Sequence, residues 1–296
     1  MVVPIRSTGM GSPPTVSLRR RLEQHFEELP VLPAVVVQLM SLDPEDAHCF
    51  EHVRRLIESE PAFSARLLAL ANSAASAPRQ PIVSVRDALQ RVGTRQAVNL
   101  LLATAVARVF VPRDEWEKCL WRHSLEVAVL ARALATRGSS VDPEHAYTCG
   151  LLHDLGRFIL FQEAPAELHR IEQAPWRTPD ELLAAERSLC GLTHSELGAL
   201  ACRKWRLPEV IASVVATHHS SFAAAGNELA RLVQLSDWLM FSSVRPDGAH
   251  RLALREPGSE AVAASLTESQ EELDAIVDEA RAEADGMARA LGVHCG

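Results

Sequence analysis

Apolar positions recur three and four residues apart along most of this chain, and no strand-like alternation persists anywhere. Leu29-Pro30 and Leu32-Pro33 form a stiff approach to a helix starting near Pro33, because proline suits the first helical turn. Pro61 opens a helix carrying Phe63, Leu67, Leu68 and Leu70. Ser84 caps the next, with Ala88, Leu89 and Val92, and Gly93 ends it. Thr94 restarts with Val98, Leu101 and Leu102. Pro112-Arg113-Asp114 reads as a joint, beyond which a second helical lobe runs to about residue 244. A polar stretch from Ser242 to Gly258 precedes a last helix, about Ser259 to Leu291. Its seam of Leu273, Val277, Ala280, Ala284, Met287 and Leu291 alternates spacings of four and three. The expectation is an all-α protein: a flexible tail (1–17), an N-terminal helical lobe (18–112), a second helical lobe (113–244), then a linker and C-terminal helix (245–296).

Composition agrees with helices. Apolar residues make up 47% of the 296 residues and aromatic residues only 5%, with alanine, leucine and valine dominant. No apolar run reaches membrane-spanning length, and Val98 to Val111 is interrupted by Arg108. Six cysteines form no CxxC pair, and Cys149 and Cys202 fall within helical patterns as buried thiols. A cytoplasmic protein follows, with no membrane partner. Net charge is −8, of which the segment from Ser259 onward carries −7. No broad basic field exists for nucleic acid. The acidic face of the last helix disfavours an identical parallel neighbour, so its seam is expected to dock on its own chain.

Seven polar residues interrupt these apolar faces: His123, His153, Asp154, His194, His218, His219 and Asp237. His123 shares a stripe with Val127, Leu130, Ala131 and Leu134. His153 ends a helix and Asp154 follows, with Gly156 expected to let the chain leave the helix. Thr193 and Glu196 form a capping box that puts His194 in a first turn. His218 lines up with Ile211, Val214 and Val215, and Asp237 with Ala230, Val233 and Met240 behind an Asn227 cap. A single histidine on an apolar face is first read as a satisfied core residue. An aspartate centred in an apolar stripe is harder to accept as core, because unpaired burial costs several kcal/mol. Histidines and carboxylates from several helices suit one or two divalent ions: imidazole favours iron, zinc, nickel or manganese, and carboxylate favours iron, manganese or magnesium.

Leu151-Leu152-His153-Asp154-Leu155-Gly156 resembles the signature of the HD superfamily of metal-dependent phosphohydrolases. Leu29 to Pro33, Glu60-Pro61 with Ala65 to Leu68, Ala71 to Ala74, Ser84 to Gly93, and His194 to Pro208 followed by His218-His219 resemble the HDOD family. That resemblance implies an N-terminal helical lobe packed on an HD-like lobe, and a bacterial signal-transduction role exercised through an unidentified signalling partner. It implies that His123, His153, Asp154 and Asp237 hold one metal, as in HD enzymes. His194, His218 and His219 match further ligands of binuclear HD-GYP phosphodiesterases, so the alternative is an active phosphohydrolase on a nucleotide-type or other phosphorylated ligand. Arg157 stands where related enzymes carry a phosphate-contacting lysine. The chain departs from the HD-GYP pattern in two places. Ser220-Ser221-Phe222-Ala223 follows His219 instead of Gly-Tyr-Pro, and Cys119 stands where some binuclear enzymes place a glutamate.

Overall fold

The structure is a computed structural model, and it describes residues 19–20, 22, 34–40, 42, 48–72, 78–137, 139–174, 176, 178–220, 226–241, 263–264, 266–267 and 269–293. The N-terminal tail, the Leu29 to Pro33 motif and the linker from Ser242 to Gly258 lie outside that set. Among the described residues the chain forms helices and no strand.

The first helices are α1 (Ala34–Met40), α2 (Cys49–Glu58), α3 (Pro61–Ala71), α4 (Val85–Val92) and α5 (Thr94–Val109). They pack mainly on one another. Their boundaries follow local chemistry: Pro61 sits at the first position of α3, and the Ser84 hydroxyl accepts the Asp87 N–H to start α4. Asn72 ties the end of α3 to the strap before α4, bonding Leu68 O and both backbone groups of Ile82.

The remaining helices are α6 (Glu115–Ala135), α7 (Pro143–Leu152), α8 (Leu155–Glu163), α9 (Pro165–Gln173), α10 (Pro179–Cys190), α11 (His194–Lys204), α12 (Glu209–Thr217), α13 (Glu228–Phe241) and α14 (Gln270–Leu291). The long helix α6 is the hub. Asp114 caps it through the Trp116 and Glu117 N–H groups, and α7, α13 and α14 all lie against it. A second set forms where α11 packs on both α8 and α12. The two sets of helices are tied at the end of α5. Trp121 Nε1 donates to Phe110 O at 3.0 Å, and Gln162 Nε2 donates to Val109 O at 3.1 Å. Phe110 also stacks on Phe158.

Two glycines set how closely these helices approach. A Cβ on Gly150 would lie 2.8 Å from the Ala128 Cα, so α7 meets α6 backbone to backbone. A Cβ on Gly156 would lie 1.8 Å from the His194 carbonyl oxygen. Gly156 therefore does not release the chain from a helix, as the sequence suggests. It sits in the first turn of α8 and admits the start of α11 against it.

The last helix also differs from expectation. Residues 263, 264 and 266 are helical, but α14 proper starts at Gln270 because the Ser269 hydroxyl accepts the Glu272 N–H and caps a new first turn. Its seam packs on α6 of the same chain, with Leu273, Val277, Ala280, Ala284, Met287 and Leu291 buried. Arg132 and Glu283 bridge the two helices at 2.6 Å.

Two outcomes follow from this packing. Gly156→Ala should destabilise the fold by about 3 kcal/mol or more, since backbone blocks the added methyl and no side chain can yield; a urea midpoint equal to wild type would show that the α8–α11 approach is not as close as described. Truncation after Gly258 removes α14 and uncovers the apolar flank of α6. Its melting temperature and solubility should both fall, and a truncated protein as stable as the full chain would mean that α14 contributes nothing to the core.

Candidate metal centre

Five elements converge on one buried point. His123 comes from the middle of α6, and His153 and Asp154 form the two-residue junction between α7 and α8. His194 is the first residue of α11, held there by the Thr193–Glu196 capping box. His218 and His219 follow the last residue of α12, and Asp237 comes from α13. Gln234, one turn before Asp237, donates to Thr217 O and Ser220 O and so fixes the turn that carries the two histidines. All seven residues singled out from the sequence come together here.

They form two adjoining groups. Asp154, His194, His218 and His219 offer one ligand atom each within 4.8 Å of one another, and so do His123, His153 and Asp237. Asp154 spans both. Its Oδ1 lies 3.4 Å from His194 Nε2 and 3.8 Å from His218 Nε2, while its Oδ2 lies 3.6 Å from His153 Nε2. Asp237 faces His123 at 3.0 Å and His153 at 3.6 Å through one oxygen, and His219 at 4.0 Å through the other. His153 and His194 are fully buried, whereas His123 and Asp237 keep 16% and 13% exposure, and Asp237 lines a small cleft.

The hydrogen bonds assign the imidazole tautomers. His153 Nδ1 donates to Gly150 O and His218 Nδ1 donates to Val215 O, both at 2.7 Å. His194 Nδ1 donates to the Glu186 carboxylate at 2.7 Å. Each ring therefore turns its Nε2 to the interior and offers a lone pair there when the ring is neutral. His153 Nε2 and Asp154 Oδ1 are buried there without a hydrogen-bond partner. His194 Nε2 and His218 Nε2 stand 3.1 Å apart: one donates to the other when it carries a proton, and when neither does both lone pairs are offered to the same point. Two nitrogens bound to one cation at about 2.1 Å lie about 3.0–3.4 Å apart, so the donor set fits a divalent ion.

Charge follows the same geometry. Burial opposes ionisation of Asp154, but Arg157, His153 and His194 beside it hold the carboxyl far below its usual range. Burial likewise opposes ionisation of Asp237, and the His123 and His153 rings reverse the balance. His218 is pushed well down and His219 down to about 4, in both cases by burial first and by neighbouring imidazoles next. Both stay neutral and able to ligate. Arg157 is buried rather than exposed at a helix end. It pairs with Glu172 and lies 3.5 Å from Asp154, with one edge on the cleft.

Two carboxylates here escaped the sequence reading. Glu172 holds Arg157, and Glu186 holds His194. They belong to α9 and α10, neither of which was singled out. A signal existed for Glu186: it lies between Leu182 and Cys190 at spacings of four on a buried stripe, the same pattern that exposed Asp237.

The cleft over the cluster has a volume of about 70 Å³ and is walled by Trp176, Leu182 and Trp238. A larger cleft of about 780 Å³ lies elsewhere, between α2, α5 and the start of α7. No helix among the described residues is long and apolar enough to cross a membrane.

Comparison with known proteins places this arrangement. A curated, uncharacterised protein of Treponema pallidum (strain Nichols) is 29% identical over 210 residues, 70% of this chain; the chain spans only about 40% of that relative's length. A crystal structure of an HDOD domain protein of unknown function from Geobacter sulfurreducens superposes with a TM-score of 0.72 at 25% identity, covering 92% of this chain and 98% of the other. A candidate phosphohydrolase from Shewanella amazonensis SB2B superposes with a TM-score of 0.64 at 24% identity, covering 92% and 97%. The HDOD domain family model matches residues 29–221, from before α1 to just past the paired histidines, and the chain belongs to that family.

Proposed function

We propose that this is a regulatory HDOD protein organised around a divalent-metal site, in which His123, His153, Asp154, His194, His218, His219 and Asp237 hold one or two ions as a structural or sensory element. The observation that carries this reading is the set of inward-facing Nε2 atoms around Asp154, two of them 3.1 Å apart, with His153 Nε2 and Asp154 Oδ1 buried there without a hydrogen-bond partner. Unpaired, such groups cost several kcal/mol to bury. Iron, manganese, zinc, nickel and magnesium all suit some part of this donor set. The output is a change in the binding of a signalling protein. The ties from α5 to α6 and α8 support this, since they connect the ligand-bearing helices to the first helical lobe.

A second reading, a metal-dependent phosphohydrolase, is favoured by one feature: the cleft reaches Asp154, His218, His219 and Asp237 directly. A bound divalent ion there would supply Lewis acidity and a lowered pKa for water. The protein's own groups would do the rest. Asp154 and Asp237 contribute negative charge, and Arg157 sits at the edge where a phosphate oxygen would enter. Against turnover of a nucleotide, the cleft is well below the roughly 300–1,000 Å³ of ordinary ligand pockets, and Arg157 is already held by Glu172. The Shewanella protein carries the word phosphohydrolase in its description, but that likeness concerns the fold.

Protein purified without chelator should contain transition metal, and stripped protein should take it up again. Free metal at about 100 times its Kd should add about 2.7 kcal/mol to stability, an increment lost in Asp237→Asn. Stripped wild type that binds no iron, manganese, zinc or nickel in calorimetry would sink both readings. Uptake should also strengthen with pH. Burial disfavours the charged His153, but Asp154 and Asp237 outweigh it and push its pKa up to about 9. Metal must therefore displace a proton below that value, and affinity should climb from about pH 6 to about pH 9. A flat profile would mean that His153 is not a ligand.

The two readings separate on turnover. With manganese or iron supplied, hydrolysis of cyclic-di-GMP and of bis-p-nitrophenyl phosphate should stay at background. Metal-dependent hydrolysis abolished by His153→Ala would make the enzyme reading the correct one.

A further inference from the structure

Glu186 is a carboxylate with 0% exposure that lies eight residues before His194 and makes no contact with the cleft. The chain turns back on itself between the end of α10 and the start of α11, which sets Glu186 against the first turn of α11. Both of its oxygens lie 2.7 Å from His194 Nδ1, and one also accepts the His194 backbone N–H at 2.9 Å. That N–H is one of the donors a helix start leaves without an intrahelical partner. One carboxylate thus grips the same residue by its ring and by its backbone.

The other two fully buried histidines are held differently. His153 and His218 donate Nδ1 to the carbonyls of Gly150 and Val215, acceptors within their own helices. Among these three, only His194 has a side chain from another helix as its acceptor, and that side chain is a carboxylate. An acceptor of this kind locks the ring with its proton on Nδ1, aims Nε2 at the ion and strengthens its donor power.

We propose that Glu186 is a positioning residue that makes His194 a ligand, so that metal affinity at the Asp154, His194, His218 and His219 group depends on it while the His123, His153 and Asp237 group does not. The inference rests on the metal reading of function. Its position also explains why a charged residue is kept at the centre of the Leu182–Cys190 stripe, where an apolar side chain would pack at no desolvation cost.

The test uses the full chain and two readouts. In metal-free protein, long-range nitrogen–proton NMR of the imidazoles reports which ring nitrogen carries the proton, and His194→Asn identifies the His194 signal. At a pH high enough for the ring to be neutral, wild type should show His194 protonated on Nδ1 alone. In Glu186→Gln the signal should move toward the averaged position of a ring exchanging between tautomers. Manganese titration followed by native mass spectrometry forms the second readout. Glu186→Gln should weaken one of two binding steps by roughly 10–100-fold and leave the other unchanged. Glu186→Asp, which keeps the charge, should recover part of the loss. A purely structural role would lower the melting temperature without moving the His194 signal or separating the two binding steps, and that result overturns the proposal. So does a Glu186→Gln protein that binds both ions as wild type does. If wild type binds no manganese, the metal reading falls, and the NMR signal alone decides whether Glu186 sets the His194 ring: an unchanged signal in Glu186→Gln rejects it.

Discussion

The buried Asp154 carboxylate is the constraint on which the centre of this molecule depends. An isolated ion at that depth would be prohibitively costly, so everything around it is arranged to share its charge. Arg157 stands on one side, His153, His194 and His218 on the other, and Asp237 completes the ring through His153. The carboxylate also needs close approach of backbones. Gly150 brings α7 onto α6, and Gly156 brings α8 onto the first residue of α11. Those two contacts turn ligands scattered over more than a hundred residues into one cluster.

The surrounding order serves the same end. Nδ1 of each of three buried imidazoles is occupied by a carbonyl or a carboxylate, so the Nε2 atoms have no freedom to turn away. Gln234 holds the turn of His218 and His219, and Glu172 holds Arg157. Outer contacts this complete fix the donor atoms in place, which would lower the cost of binding a cation there. The small cleft above it gives access to ions and water while leaving little space for a large organic ligand.

Some of this was legible in the chain. Helix starts were local events: the Ser84 and Asn227 caps, Pro61 at a first position and the Thr193–Glu196 box appear as the pattern implies. The seven ligand candidates were visible because a histidine or aspartate inside an apolar stripe breaks a periodicity that local sequence maintains. Glu186 broke its stripe in the same way but sat in a helix that had not been delineated, and Glu172 lies in another. The start of α14 is not legible in the same way, since a serine within a polar run looks like any other until its hydroxyl is seen to cap.

What the sequence determined by itself was the helical class, several helix starts and the identity of most polar residues of the buried cluster, because each depends on neighbours within a turn or two. The tertiary structure decided how those residues meet. That Asp154 spans two donor groups, that Arg157 is buried against Glu172, and that Gly156 serves an approach of α11 are consequences of distances between helices far apart in the chain. Periodicity states which face of a helix is buried. It does not state which other helix will cover that face, and the chemistry of this site lies in that choice.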